Sequence, residues 1–286
     1  MGIPLGVIFG VIAMFCWGTA DFLVAKAVKK ISVFKTFFWS QVIGLILFFL
    51  IFLLFFNFPI TPSNIIIIIL VAGFIGVMAY LAFYKGLQIG KVSVVSPIAA
   101  SWSVITVILS LFFLKEKLTN IQFIGISLAI VGAVLVSFKS HDLLKLRIKN
   151  IAVGVKYALI ALFGWGFFMF FIGIMVDKLG WFFPMFFIKI AMVFYLLSYS
   201  GLSKQDIKFP KNVYFFIVLI GVLEVIAFLS YGVGINYEYN SIVAPIGAAF
   251  PMVTIILARI FLKEKLEINQ KIGVISVLVG LVLLSA

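Results

Sequence analysis

The chain has 286 residues, of which 65% are hydrophobic and 11% are charged. Soluble domains are about 45–50% apolar and about 25% charged, so this composition excludes an aqueous fold and requires a bilayer as solvent. The formal charge of +13 is carried by single lysines and small groups between apolar runs. That distribution is typical of membrane topology signals and not of a nucleic-acid-binding face. The sequence therefore predicts a multi-pass protein of the cell membrane that binds no nucleic acid.

Ten apolar runs, each about 20 residues long and sufficient for one helical crossing, follow one another along the chain. They fall near residues 3–25, 33–56, 64–84, 92–114, 119–138, 152–176, 181–200, 212–234, 240–262 and 268–285. The predicted fold is an all-α polytopic membrane protein with ten transmembrane helices. Its parts are a first five-helix repeat (1–138), a basic cytoplasmic linker (139–150) and a second five-helix repeat (151–286).

The two halves are related by a constant offset. Residues 96–118 return as residues 244–266, and segments 80–138 and 228–286 share about 24 identities in 59 aligned positions. A repeat of five spans begins and ends on opposite faces of the membrane, so the second copy must be inverted. Inverted repeats place a substrate site between them, near the bilayer midplane.

Positive charge assigns the faces of the membrane. Loops after spans 1, 3, 5, 7 and 9 carry about 17 Lys and Arg residues, against 3 in the opposite loops. The positive-inside rule makes the first group cytoplasmic. We therefore expect both termini outside.

Prolines in spans 4 and 9 are candidates for the site. Pro97 and Pro245 each lie about one turn inside a span, where proline leaves the carbonyls of Ser93 and Ser241 without a helical donor. Free carbonyls in a bilayer are tolerated only against protein or in a wet cavity. The alternative is a kink that a neighbouring serine hydroxyl satisfies.

Ionisable residues within the spans are stronger candidates, because such residues are costly there and usually functional. Glu224 falls near the middle of span 8, Lys189 near the middle of span 7, and Asp21 in the cytoplasmic half of span 1. One interpretation is a buried Glu224–Lys189 pair that only fixes helix packing. The other is a role in handling the substrate or an ion.

Aromatic residues complete the predicted substrate site. Tyr231 shares a helical stripe with Glu224, and Tyr80 and Tyr84 form a second stripe in span 3. Trp102 is deep enough in its span to favour a cavity. Trp17, in the first Trp-Gly pair, is interpreted either as a site residue or as part of an interfacial belt, and Trp165 as a belt residue.

Two recurring motifs are interpreted as structural. The LKEKL segments, 114–118 and 262–266, predict tight interfacial turns, and Thr119 with Gln122 predicts a capping box. Glycines seven residues apart share one helix face and predict close helix packing in lipid. They are Gly125, Gly132, Gly273 and Gly280.

These motifs together resemble the drug/metabolite transporter superfamily, specifically its EamA-type members. Each half has a Trp-Gly pair, a Pro-led fourth span, the Leu-x-Glu-x-Leu turn and a Gly-bearing fifth span. The resemblance implies a ten-helix exporter or exchanger of small polar or amphipathic metabolites, often amino acids, with spans 5 and 10 peripheral. Two features depart from it. Lys115 and Lys263 stand where many relatives have glycine, and relatives are described with cytoplasmic termini.

The leading functional hypothesis is a secondary transporter of a small metabolite such as an amino acid, working by alternating access, with a proton as the coupling ion. No nucleotide-binding motif is present, and one Cys and one His predict no metal, no cofactor and no enzyme. The alternatives are a membrane-embedded lipid-modifying enzyme, which would want an Asp-rich or His-containing cluster, and a non-transporting scaffold or flippase subunit. We expect a monomer or a homodimer.

Overall fold

The computed structural model describes residues 3–28, 30–57, 59, 61–89, 95, 98–137, 148–262 and 267–284. The helices of the first half are α1 (Leu5–Ala27), α2 (Val33–Phe55), α3 (Ser63–Ile89), α4 (Trp102–Leu109, continued by a π-turn at Ser110–Leu114) and α5 (Asn120–Ser137). Those of the second half are α6 (Ile148–Leu179), α7 (Phe183–Leu202), α8 (Tyr214–Tyr237), α9 in two segments (Asn240–Ala248 and Phe250–Leu262) and α10 (Ile268–Leu284). The all-α fold is confirmed.

Hydropathy and length identify these helices as membrane spans. Among the described residues, seven helices are long and apolar enough to cross a bilayer, and three apolar helices are shorter. The shorter ones are Ile98–Leu114, Asn120–Val136 and Ile268–Leu284. A helix of 17 residues, such as α10, is about 25 Å long, close to the hydrocarbon thickness of about 30 Å. The chain is therefore a polytopic integral membrane protein.

The packing of α5 against α10 shows that the two repeats are inverted. A Cβ added to Gly125 would lie 3.0 Å from the Gly280 carbonyl oxygen, and one added to Gly132 would lie 2.8 Å from that of Gly273. The two helices therefore run antiparallel, although they are equivalent elements of the two repeats. Ser276 also donates a 2.8 Å hydrogen bond to the carbonyl of Leu128, its own equivalent. The predicted close approach at these glycines is confirmed.

The remaining helix contacts follow the same two-fold relation. Helix α1 packs against α8 and α9 of the other repeat, and its equivalent α6 packs against α3 and α4. Thr254 of α9 donates to the Gly18 carbonyl in α1 at 2.9 Å, and the equivalent Thr106 donates to the Gly166 carbonyl in α6 at 3.0 Å. The bundle thus has two matched groups, the α1–α8–α9 group and the α6–α3–α4 group.

Helices α4 and α9 are interrupted near the middle of their spans. The first segment of α9 continues through Pro245, and the interruption falls at Ala249, just before Pro251 in the second segment. The equivalent residue Ser101 is a turn immediately before α4. The interruption at Ala249 is therefore four residues beyond Pro245, and Pro245 itself does not end the helix.

The first Leu-x-Glu-x-Leu turn has a left-handed backbone at its lysine. Lys115 ends the π-turn with φ 56°, the left-handed region that glycine adopts without strain and other residues rarely enter. The turn therefore keeps a glycine-like backbone although it carries lysine. The following capping box is confirmed, because the amides and side chains of Thr119 and Gln122 exchange hydrogen bonds of 3.0 and 3.2 Å.

One exposed ion pair joins elements at the face predicted to be cytoplasmic. Lys35, at the start of α2, contacts Asp206, in the connection between α7 and α8, at 2.5 Å. The hydrogen bond from Lys35 and a second one from the Lys208 amide hold the pKa of Asp206 below its usual value. Because both side chains are partly solvated, such a pair contributes little to stability.

The orientation of the bundle remains a prediction that a reporter experiment tests. If the lysine bias governs insertion, a reporter active only in the cytoplasm should be silent after Ala286 and active within 139–150. The matched fusions share one chain and differ only in position. The opposite pattern of activities would place both termini inside and overturn the assignment.

Candidate functional site

A small cavity lies between the two matched helix groups. It has a volume of about 20 Å³, room for about one water molecule. Its lining comes from α1, α3, α4, α6, α8 and α9, near the middle of most of these helices, and consists of Trp17, Ala20, Asp21, Tyr80, Trp102, Trp165, Met169, Glu224 and Phe250. The cavity therefore lies at the interface of the repeats, at the depth where inverted-repeat transporters bind substrate.

Two equivalent aromatic clusters frame this cavity. In the first, the Trp17 ring contacts the rings of Phe228 and Tyr231, each with centroids 5.5 Å apart. In the second, the equivalent Trp165 contacts the equivalent residues Tyr80 and Phe83 at 5.1 and 4.8 Å. The duplication has kept this aromatic frame on both sides of the cavity. Trp165 is therefore an internal residue and not part of an interfacial belt.

The indole N–H groups of both tryptophans have no hydrogen-bond partner in the part of the chain that the structure describes. Trp17 is 7% exposed and Trp165 is 5% exposed. Neither Nε1 atom finds an acceptor among the described residues. A buried donor without an acceptor costs about 1–3 kcal/mol, so such groups call for a bound water or ligand.

Glu224 belongs to a buried three-residue network. Lys189 donates to Glu224 at 3.1 Å and to the Gln41 side-chain oxygen at 2.5 Å. Gln41 in turn donates to the same Glu224 oxygen at 2.7 Å. The predicted Glu224–Lys189 pair is confirmed as a contact, with side-chain exposures of 4% and 2%. Both partners and the amide that bridges them are withdrawn from water.

Asp21 differs from Glu224 in having no counter-ion among the described residues. It lies one helical turn after Trp17 on the cavity side of α1, and it makes no hydrogen bond or ion pair with any residue that the structure describes. With Glu224 balanced by Lys189, an ionised Asp21 leaves one uncompensated negative charge at the cavity. Such a charge within a bilayer requires a proton, water or a cationic ligand.

The structure brings together five of the side chains predicted for the substrate site. Trp17, Asp21, Tyr80, Trp102 and Glu224 line the cavity. Lys189 lies behind Glu224, as described above. These six residues come from five different helices, which is why their proximity depends on the packing of the whole bundle.

The other predicted site residues that the structure describes are not part of the cavity lining. Tyr84 packs beside Phe37 with ring centroids 5.7 Å apart, one turn beyond Tyr80. Ser241 and Pro245 are buried in the first segment of α9, and the Ser241 hydroxyl has no partner among the described residues. Ser93 and Pro97 lie outside the described residues.

A second polar network connects the first Leu-x-Glu-x-Leu turn with α9. Glu116 accepts hydrogen bonds from the backbone amides of Asn240 and Ser241 at 3.0 and 2.9 Å, at the N-terminus of α9. A carboxylate there satisfies orphan donors and complements the helix dipole. Asn240 also accepts a 2.5 Å hydrogen bond from the Tyr231 hydroxyl. Glu116 therefore caps a helix of the opposite repeat, and Tyr231 contacts the same helix end through Asn240.

Sequence reasoning missed five residues of the site, namely Ala20, Gln41, Trp165, Met169 and Phe250. The repeat offset contains a signal for all of them except Ala20. Gln41 is equivalent to Lys189, Met169 to Asp21, and Phe250 to Trp102. A comparison of each candidate with its equivalent would have identified the opposite wall of the cavity.

Comparisons with known proteins agree with this architecture. Two curated relatives are an uncharacterized protein of Methanocaldococcus jannaschii, 33% identical over 136 residues (47% of this chain and 97% of that protein), and an uncharacterized transporter of Archaeoglobus fulgidus, 24% identical over 98% of both chains. A solved crystal structure of a protein matches 99% of this chain and 98% of its own with a TM-score of 0.80 at 14% identity, which shows the fold. The family model of the EamA-like transporter family matches residues 4–138 and again residues 152–286. The chain therefore belongs to the EamA-like transporter family.

Proposed function

We propose that the protein is a secondary transporter of a small metabolite, of the size of an amino acid, and that it works by alternating access between its inverted repeats. The observation that carries this proposal is the unpaired Asp21 carboxylate in a cavity at the repeat interface. A charge without a partner is expensive to hold within a bilayer and is retained where it handles a substrate or an ion. A packing role alone gives no reason for it.

In the proposed mechanism, the two helix groups move relative to each other. The cavity walls come from both the α1–α8–α9 group and the α6–α3–α4 group. Because the cavity has room for about one water molecule, a metabolite can enter only if these groups separate. Rocking of one group against the other would open the cavity to one face at a time, and the two-fold relation makes the two open states similar in energy.

The carboxyl of Asp21 is the group we assign to coupling. When it carries a proton, the cavity has no net charge, because Glu224 is balanced by Lys189. When it is ionised, a positively charged group must accompany it through the bilayer. The charge balance therefore supports a proton as the coupling ion. Because Asp21 would carry either the proton or a positively charged group, the proton would be exchanged for that group across the membrane.

A flux experiment tests the proposal. Proteoliposomes that contain the purified full-length protein should accumulate at least one member of a panel of labelled amino acids and amines when a pH gradient is imposed. Asp21→Asn should reduce that flux at least about tenfold, since it removes a cavity-lining carboxylate that has no counter-ion among the described residues. The matched control is Asp206→Asn, the same chemical change at the exposed ion pair, which should transport normally. Undiminished flux in Asp21→Asn, or no flux of any panel member, would contradict the proposal.

A further inference from the structure

The lining of the central cavity combines aromatic faces with negative charge. Five of its nine side chains are aromatic and two are carboxylates, Asp21 and Glu224, while the other two, Ala20 and Met169, are uncharged. No basic side chain is among the lining residues that the structure describes. Lys189 lies behind Glu224, where Gln41 and Glu224 already occupy its ammonium group.

Aromatic rings favour positively charged ligands over neutral ones of the same shape. A cation over a ring face is attracted by the ring quadrupole, and the attraction grows when water is excluded. The protein already uses this contact beside the cavity, where the Lys189 ammonium lies 5.0 Å from the centroid of the Phe228 ring. The rings of Trp17, Tyr80 and Trp165 offer a ligand the same kind of surface.

The two free indole N–H groups add a second requirement. The Nε1 atoms of Trp17 and Trp165 are buried and have no acceptor among the described residues. A hydroxyl, ether or carbonyl oxygen on a ligand would satisfy them. A ligand carboxylate would satisfy them too, but it would share a small cavity with the carboxylates of Asp21 and Glu224. Like charges that close together repel strongly where the dielectric constant is low.

From these observations we propose that the transported substrate is a small organic cation, a primary or quaternary ammonium compound that carries a neutral hydrogen-bond acceptor. Asp21 neutralises the ammonium group, the aromatic rings surround it, and the indole N–H groups of Trp17 and Trp165 bind the acceptor. This inference rests on the proposed function and names its substrate class. It predicts that a zwitterion of the same size is a poor ligand.

Two sets of matched probes test the charge of the ligand. The first is choline, its uncharged isostere 3,3-dimethylbutan-1-ol, and the zwitterion glycine betaine; the second is phenylethylamine, 2-phenylethanol and phenylalanine. Binding to purified full-length protein in detergent is measured by titration calorimetry. In each set the cation should bind at least about tenfold more tightly than its neutral and zwitterionic counterparts, because only the cation pairs with a buried carboxylate.

Variants at Asp21 separate binding from folding. Asp21→Asn should weaken binding of both cations at least about tenfold. Asp21→Glu keeps the charge and should weaken binding less than Asp21→Asn does, and Asp206→Asn should bind normally, since Asp206 is exposed and paired with Lys35. Each variant is also checked for its unfolding temperature, so that loss of binding in a folded protein is distinguished from loss of structure.

The indole groups have a separate test. Trp165→Phe keeps an aromatic face but removes one donor, so it should weaken choline, which has a hydroxyl group, more than tetramethylammonium, which has none. The matched control is Trp39→Phe, because the Trp39 indole donates to the Ile207 carbonyl at 3.1 Å, away from the cavity. If Trp165→Phe weakened the two ligands equally, the proposed hydrogen bond between the indole and the acceptor of the ligand would be contradicted.

The outcomes distinguish this inference from the function on which it rests. The inference is overturned if neither cation binds, or if a neutral or zwitterionic counterpart binds as tightly. Asp21-dependent flux of phenylalanine would overturn the cation class while supporting the transporter. Absence of flux of every metabolite in proteoliposomes would instead count against the transporter itself.

Discussion

Glu224→Gln is expected to destabilise the folded protein by about 3–5 kcal/mol, the usual effect of breaking a buried ion pair. The change leaves the Lys189 ammonium, which is 2% exposed, without a counter-ion among the described residues. The measurement is the thermal unfolding of purified protein in detergent. Asp206→Asn breaks an ion pair whose side chains are 21% and 58% exposed, and it should leave the unfolding temperature almost unchanged.

The double change Glu224→Gln with Lys189→Met separates a structural pair from a functional acid. Removing both charges should restore most of the stability, because no uncompensated charge remains in the network. We expect stability to return without transport, since Glu224 also lines the cavity. If transport returns as well, the pair is purely structural. Full stability and full transport in the single variant would contradict both interpretations.

Gly132→Ala is expected to destabilise the protein by about 1–3 kcal/mol, the range for overpacking a tight interface. The added methyl group would lie 2.7 Å from the Val277 amide nitrogen and 2.8 Å from the Gly273 carbonyl oxygen. Both atoms are backbone, so the clash is relieved only if α5 and α10 move apart. Thermal unfolding in detergent again measures the effect.

Gly201 offers a matched control for this substitution. It lies near the end of α7, and nothing lies within 4 Å of an added Cβ there. Alanine is the better helix former by about 1 kcal/mol, so Gly201→Ala should be neutral or slightly stabilising. If Gly132→Ala behaved like Gly201→Ala, the close approach of α5 and α10 would be wrong.

The helices could be predicted from sequence because each depends on local properties. A run of apolar residues long enough for the bilayer must be helical, whatever its neighbours. The 148-residue offset then relates the two halves, and the odd number of spans per repeat makes the second one inverted. Close packing at the glycines could also be predicted, from the seven-residue spacing of Gly125 with Gly132 and of Gly273 with Gly280.

The partners of the site residues could not be predicted in the same way. The cap that Glu116 provides joins residues more than 120 positions apart, in different repeats, and hydropathy contains no information on that contact. The position of the α9 interruption also depended on context, because Pro245 is accommodated within the first segment. Burial alone did not reveal which acid has a counter-ion, since the partner of Glu224 lies on another helix.

The contact of α5 with α10 has a consequence for the history of the chain. The two sides of this interface are equivalent helices, so the interface is isologous. A protein that consisted of one five-helix repeat could therefore form a homodimer with a second copy of itself in the inverted orientation. The Methanocaldococcus jannaschii protein, matched over 136 residues and nearly its full length, is about as long as one half of this chain.

In a homodimer of one repeat, every intramembrane carboxylate would occur twice around one axis, and the repulsion between the two copies would be severe. Joining the halves in one polypeptide removes that constraint, because Met169 can stand opposite Asp21 and Gly76 opposite Glu224. Fusion thereby allows a symmetric scaffold to hold an asymmetric charge.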